Sequence, residues 1–205
     1  ADSVPVVALG ERFVYGQSKA AVAEFLGLEY DETPQLAPDE LVRRLDLVLA
    51  TAQRLVSQLP AAHLDEDVLD RKRSYRQLSY HIFRIPEVFL DITIDAGGTI
   101  QRDDWNSPVP GDMTTMDDIV AFGGEMRSRL GRWWAEETDR DCARTVPTYW
   151  GDTTLHLVLE RMTWHPAQHV RQIAMLLERF GIAPDGPLTP DDLDGLPLPE
   201  KVWDD

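Results

Sequence analysis

The sequence predicts a mainly α-helical protein: a four-helix bundle preceded by a small N-terminal β-hairpin plus helix. Three observations predict this fold class. Four long segments repeat apolar residues every three or four positions, which is the period of an amphipathic helix. Proline- and glycine-containing connections separate these segments, and two of the connections are long, as in many bundles. The first thirty residues instead contain short runs typical of strands.

The N-terminal segment is predicted to form a β-hairpin followed by a short helix. Strands are expected at residues 4–9 and 12–15, with a turn between them. Ser18 is expected to cap a helix that ends near residues 26–28. Because a hairpin and one helix are too small to bury a core, this segment must pack on the bundle, pair with another copy or be the remnant of a larger domain.

The four long helices are predicted at residues 38–59, 72–94, 115–138 and 153–180. Pro60 stops the first helix, and Gly181 ends the fourth. Pro86 lies inside the second helix and Pro166 inside the fourth, where each removes a backbone donor and predicts a bend. The connections at residues 95–113 and 139–151 and the tail from residue 183 are expected to be loops.

Charge and hydropathy exclude several classes of partner. The 205 residues carry a net charge of −16, and nucleic acid is bound through clustered Lys and Arg, so no nucleic acid is expected. The short basic run at residues 71–73 is interpreted as the solvated start of a helix rather than as a binding patch. No apolar run approaches the ~18 residues of a membrane span, so no membrane partner is expected. The lone Cys142 excludes an internal disulfide, and without a signal-peptide pattern a cytoplasmic location is expected.

Three histidines lie at core-facing positions of the second and fourth predicted helices. His165 and His169 are four residues apart in one apolar stripe, and His81 lies in another. Side chains at i and i+4 stack on one helix face, so two imidazoles can converge on one ion, and a third completes an open site. The alternative is that each imidazole is a hydrogen-bonded core residue. We favour a metal site, because core positions normally hold aliphatic residues and imidazole suits zinc, nickel, copper or iron.

Further residues are candidates for the surroundings of this site. Gln172 is expected either to orient a ligand or bound water, or to mark the edge of the apolar stripe. Three aromatic residues either line a pocket over the metal or pack between helix and loop: Tyr149, Trp150 and Trp164. The remaining histidines, His63 and His156, are not expected to be ligands.

At these residues the chain resembles the DinB/YfiT-like superfamily of metal-binding four-helix bundles. The resemblance spans about residues 36–203 and rests on SYHIF at 79–83, WHPAQHVRQI at 164–173 and GLPLPE at 195–200. It implies a bundle domain over residues 36–205. Carried over residue by residue, it implies a divalent-metal triad of His81, His165 and His169. The chain departs from the family where Val170 and Arg171 follow the last ligand instead of Arg-Gly, and where Pro166 replaces a helix former.

The resemblance also implies a homodimer and thiol-dependent chemistry. Characterised members include transferases and isomerases that use mycothiol or bacillithiol, so a low-molecular-weight thiol and a small-molecule substrate are expected. Two alternatives remain open on the residues alone. One is a non-enzymatic binding or structural module held by metal or packing. The other is a hydrolase that uses metal-bound hydroxide, for which the sequence names no general base.

Residues 1–30 resemble the second half of a glutaredoxin. Val4-Pro5 is similar to its cis-proline turn, GERFVYG at 10–16 to the following hairpin, and FLGL at 25–28 to the end of a helix. The upstream strand, helix and Cys-Pro-x-Cys of that fold are not in the sequence. The segment is therefore expected to be either a piece of a larger domain or a structural relic, and it would link the bundle to thiol chemistry.

Overall fold

Residues 6–16, 19–69 and 71–203 are described by a computed structural model, in which helices predominate. The strands are β1 (Val6–Leu9), β2 (Arg12–Tyr15), β3 (Thr145–Thr148) and β4 (Gly151–Thr154). The helices are α1 (Lys19–Leu26), α2 (Pro38–Ser57), α3 (Tyr75–Val88), α4 (Met116–Glu136), α5 (Leu155–Arg179) and α6 (Pro190–Leu193). A π-helical stretch, Phe89–Asp95, continues α3, and two short 3-10 helices lie at Ala61–His63 and Arg102–Asn106. The predicted fold class is confirmed.

Four long helices form the bundle, with α2 and α3 each packed against both α4 and α5. Their facing stripes bury aliphatic and aromatic side chains, each contributing about 1.5–3 kcal/mol when fully removed from water. Fully buried examples are Leu41, Leu45, Leu49, Leu55, Leu78, Ile82, Phe83, Ile85, Ile119 and Ile173. Within the described ranges, no helix combines the length and the apolar character that crossing a membrane requires.

Polar caps determine where three of the four long helices begin. Ser74, Thr115 and Thr154 each accept a hydrogen bond from the backbone N–H three residues further on, which satisfies a free donor of the first turn. Helix α3 therefore begins at Tyr75 rather than at residue 72. At the other end of α5, Gly181 has a φ of +74° and provides the left-handed residue that ends the helix.

The two helical prolines have different consequences. Pro86 lies one turn before the π-helical stretch Phe89–Asp95. The wider turns of this stretch accommodate the break in backbone hydrogen bonding that Pro86 introduces at the predicted kink. Helix α5, in contrast, runs without interruption through Pro166 to Arg179. The bend predicted beside His165 stays a prediction.

Two segments predicted as loops contain regular structure. β3 and β4 pair as an antiparallel hairpin across the end of the connection 139–151, and β3 also bridges to Ile100. These strands are only four residues long, too short for an alternating pattern to be recognised. The tail contains α6, which Thr189 and Asp192 open with a capping box.

The N-terminal hairpin forms as predicted, with β1 paired to β2. Val6, Leu9, Phe13 and Tyr15 remain more than half exposed on it. Two predictions for this segment lie outside the described residues: the candidate cis-proline turn at residues 4 and 5, and the cap Ser18. The glutaredoxin-like character of the segment stays a prediction.

Close contact between α3 and α4 leads to the first testable prediction. A Cβ at Gly123 would lie 2.5 Å from Phe83 Cε1, within the buried core. We expect Gly123→Ala to lower the free energy of unfolding by about 1–3 kcal/mol. The added methyl group forces the Phe83 ring to move, and this strain outweighs the gain in helix propensity. Urea denaturation measures the change.

The matched control is Gly131→Ala on the same helix, where an added Cβ meets nothing within 4 Å. This substitution should raise the free energy of unfolding by up to about 1 kcal/mol. Stabilisation by both substitutions would contradict the described packing.

Candidate metal centre

Three imidazoles come together where α3 packs against α5. Their available nitrogen atoms lie within 4.8 Å of one another. The ring centroid of His81 is 5.3 Å from that of His165 and 5.0 Å from that of His169, and the latter two are 5.0 Å apart. His81 is buried and the other two are partly exposed. The i, i+4 spacing on α5 thus places two rings opposite a third from α3.

Hydrogen bonds orient two of the rings. His81 Nδ1–H donates to the carbonyl oxygen of Trp105 at 2.8 Å, and His169 Nδ1–H donates to Gln172 Oε1 at 2.8 Å. The Gln172 amide is itself oriented, because its Nε2 donates to the Val202 carbonyl at 3.1 Å. Because both acceptor oxygens require the ring proton to be on Nδ1, the neutral rings of His81 and His169 keep their lone pair on Nε2. This is the arrangement in which a histidine acts as a metal ligand with an oriented outer partner.

Buried nitrogen atoms without partners remain at the centre of the cluster. His165 Nδ1 and His169 Nε2 are buried and make no hydrogen bond within the part of the chain that is described. Buried polar atoms are usually paired, and leaving one unpaired costs about 1–3 kcal/mol. Two ligands of one ion at about 2.1 Å lie at most about 4.2 Å apart, and one nitrogen from each of the three rings already lies within 4.8 Å of the others, so small side-chain rotations would let the rings share one ion. The residues therefore fit a divalent metal.

Burial keeps the imidazoles neutral. Desolvation lowers the pKa of His81 to about 3 and that of His169 to about 4, and it also lowers the pKa of His165 well below its ordinary value. The positive charge of Arg73 lowers the pKa of all three further, and Arg161 adds to this effect at His165. Because metals bind the neutral ring, the ligand form is present at neutral pH.

The aromatic residues considered for a pocket line a different cavity. Tyr149, Trp150 and Trp164 share a cavity of about 460 Å³ with Arg161, and its described lining includes none of the three clustered histidines. The Arg161 guanidinium lies 4.6 Å from the ring centroid of Trp150 and 5.6 Å from that of Trp164. Trp164 also approaches the cluster, with its ring 5.6 Å from that of His165. The aromatic group therefore lies beside the cluster.

A second cavity, of about 470 Å³, adjoins His169 and Gln172. Basic residues 71–73 contribute to its wall, as do residues of the C-terminal tail. Arg71 and Lys72 are exposed, as the interpretation of this run as solvated expects, but Arg73 is partly buried. The interpretation was wrong for Arg73, because α3 begins later than predicted and the preceding turn folds against the cavity.

Trp105 is the contact to the cluster that sequence reasoning missed. It lies in the 3-10 helix Arg102–Asn106, inside a predicted loop, and it contributes a backbone carbonyl. Every residue has such a carbonyl, so no sequence signal could have identified it. The remaining histidines lie elsewhere: His156 Nε2 is 2.8 Å from the Leu36 carbonyl oxygen, and His63 Nδ1 is 2.8 Å from a Glu66 carboxylate oxygen.

Similarity to known proteins supports the fold. Residues 44–173 match the family model described as the DinB superfamily. A DinB-like protein from Bacillus subtilis, known from a crystal structure, superposes with a TM-score of 0.55 at 12% sequence identity, over 73% of this chain and 95% of that chain. At this identity the likeness concerns the fold alone. No curated protein shows significant sequence similarity to the chain.

The metal-free protein should lose stability as the pH falls below about 6.5. An unfolded histidine takes up a proton near pH 6.5, whereas the folded state holds the pKa of His81 and His169 at about 3 and 4. Between these values the unfolded chain binds more protons, so each such histidine lowers the free energy of unfolding by up to about 1.4 kcal/mol per pH unit. Urea denaturation with a chelator, between about pH 7.5 and pH 4.5, measures this slope.

Two variants test whether the three clustered histidines cause this dependence of the free energy of unfolding on pH. His165→Gln removes one buried imidazole and should reduce the slope by about one proton. His63→Gln changes a histidine whose side chain is 40% exposed and should leave most of the slope in place. An unchanged slope in His165→Gln would contradict a buried neutral ring at this position.

Proposed function

The chain belongs to the DinB superfamily, and on that premise we propose that it is a metal-dependent transferase or isomerase that uses a small-molecule thiol. The observation that carries the proposal is the pair of buried, unpartnered nitrogens on His165 and His169 beside His81. An ordinary core histidine would have a protein partner for each buried nitrogen. An ion shared by His81, His165 and His169 would explain why their three rings lie together.

Three neutral imidazoles suit zinc, nickel or iron as the divalent metal. Three protein ligands leave a coordination position open, as in catalytic rather than structural sites. When bound, such an ion lowers the pKa of a coordinated thiol or water and so supplies a nucleophile at neutral pH. The chain's own contribution is to present Nε2: Trp105 and Gln172 hold the Nδ1 protons of His81 and His169.

The thiol has to come from outside the chain. Cys142 is fully buried, and burial raises the pKa of its thiol to about 12. A protonated, inaccessible thiol is neither a nucleophile nor a metal ligand. The proposal therefore uses a small-molecule thiol rather than Cys142.

The cavity favours thiol chemistry over hydrolysis. Its described lining contains no Asp or Glu next to His169, whereas zinc hydrolases typically use a carboxylate as the general base for water. A thiol has a pKa near 8.5, compared with about 15.7 for water, so it needs less help to lose its proton. Without a base, the chain is better suited to activate a thiol.

The same cavity favours an enzyme over a purely structural module. A structural metal site is normally closed by four protein ligands, but this cluster has three and adjoins a space of about 470 Å³. That volume is typical of small-molecule sites. A homodimer, a cytoplasmic location and the absence of nucleic-acid and membrane partners complete the proposal, supported by the family resemblance and the net charge of −16.

Metal analysis tests the ligand set. The purified protein should bind one divalent ion per chain with all three histidines present, and His81→Ala, His165→Ala and His169→Ala should each lower the affinity by at least about tenfold. His63→Ala is the control, because His63 lies on the surface beside Glu66. Equal metal content in all five proteins would overturn the site.

A thiol-conjugation assay tests the reaction. The metal-loaded protein should accelerate reaction of a small thiol with an electrophile, and chelation or His165→Ala should abolish the acceleration because the activating ion is lost. Circular dichroism confirms that the variant remains folded. Full metal occupancy without turnover on a panel of thiols and electrophiles would instead support the non-enzymatic module.

A further inference from the structure

Arg73 is a partly buried cation, and the described residues give it none of the partners that comparable arginines have. Other arginines of similar exposure pair with carboxylates: Arg76 with Asp65, Arg84 with Glu87, Arg127 with Asp46 and Arg129 with Asp91. Arg161 lacks a carboxylate but lies over two indole rings. Among the residues that the structure describes, the Arg73 side chain has no ion pair, hydrogen bond or aromatic partner. A cation removed from water without compensation is costly, so it calls for an explanation.

The position of Arg73 connects it to the histidine cluster. It lines the cavity of about 470 Å³ that also exposes His169 and Gln172. A molecule in this cavity can therefore contact His169 of the cluster and the Arg73 guanidinium together.

The wall around Arg73 is positive in a strongly acidic protein. The chain has 36 acidic and 20 basic residues, yet Arg71, Lys72 and Arg73 line this cavity and its described lining contains no acidic side chain. Three neutral imidazoles would leave the charge of a divalent ion uncompensated as well. An anionic occupant would balance both charges in a partly desolvated space, where electrostatic attraction is stronger than in water.

We propose, resting on the proposed function, that Arg73 binds a carboxylate of the small-molecule thiol, so that the substrate class is an anionic thiol. The planar guanidinium offers two parallel N–H donors that match the two oxygens of a carboxylate. Its single charge matches one carboxylate. The exposed side chains of Arg71 and Lys72 also line the cavity and attract the same anion. No covalent step is assigned to Arg73, which acts as a binding and positioning residue.

A matched pair of thiols tests this inference. N-acetylcysteine and N-acetylcysteine amide differ in the replacement of a carboxylate by a neutral amide. Protein loaded with cobalt(II) reports binding of either thiol through its visible absorption. The wild type should bind the acid at least about tenfold more tightly than the amide, since a charge-assisted hydrogen bond contributes about 1.5–3 kcal/mol. Arg73→Met should remove this preference.

Two further variants make the test specific. Arg132→Met removes an exposed arginine that lines another cavity, so it changes the net charge equally and should retain the preference. Arg73→Lys keeps the charge but loses the two-pronged geometry, and it should retain only part of the preference. It also provides a folded comparison if Arg73→Met proves unstable.

The outcomes separate this inference from the proposed function. If cobalt binds but Arg73→Met prefers the acid as strongly as the wild type does, the carboxylate site is overturned and the metal site stands. The same holds if the wild type shows no preference. If cobalt does not bind to the wild type at all, the proposed function fails, and the inference that rests on it fails too.

Discussion

The packing of α3 against α5 has to hold three polar imidazoles inside an otherwise aliphatic core. Each ring loses hydration when it is buried, and the loss is compensated only where a hydrogen-bond partner or an ion replaces water. The chain provides partners for one nitrogen of His81 and one of His169. It provides none for His165 Nδ1 or His169 Nε2 within the described residues. These two nitrogens are therefore the part of the core whose burial is left uncompensated by the described residues, and the proposed ion would compensate it.

The groups that orient the rings come from segments between and after the long helices. Trp105 lies in a 3-10 helix between α3 and α4, and Val202 lies in the tail after α6. Helix α5 fixes this tail, because the Arg171 guanidinium donates to the carbonyls of Pro199 and Glu200. The tail thus orients Gln172, and Gln172 orients His169. Segments outside the four long helices are therefore part of the site.

Sequence periodicity predicted the parts of the structure that helical geometry determines. The spacing of His165 and His169 was sufficient because i and i+4 share a helix face, and the apolar stripe of α3 placed His81 toward the core. The contribution of Trp105 could not be predicted, because its acceptor is a backbone carbonyl. Arg73 was misinterpreted because composition does not reveal that the turn before α3 folds against a cavity. Local pattern predicts faces, whereas burial of a loop residue depends on tertiary packing.

The overall charge and the local charge act over different distances. Exposed charges are screened beyond about 8 Å at physiological ionic strength, so the net charge of −16 repels a polyanion that must contact a wide surface. Arg73, in contrast, is partly buried in a cavity of about 470 Å³, where low local polarity preserves its attraction for a small anion. Nucleic acid is too large for this space, whereas a small anion fits it. On the proposed function, a net negative charge and a preference for a small anionic thiol are therefore compatible in one chain.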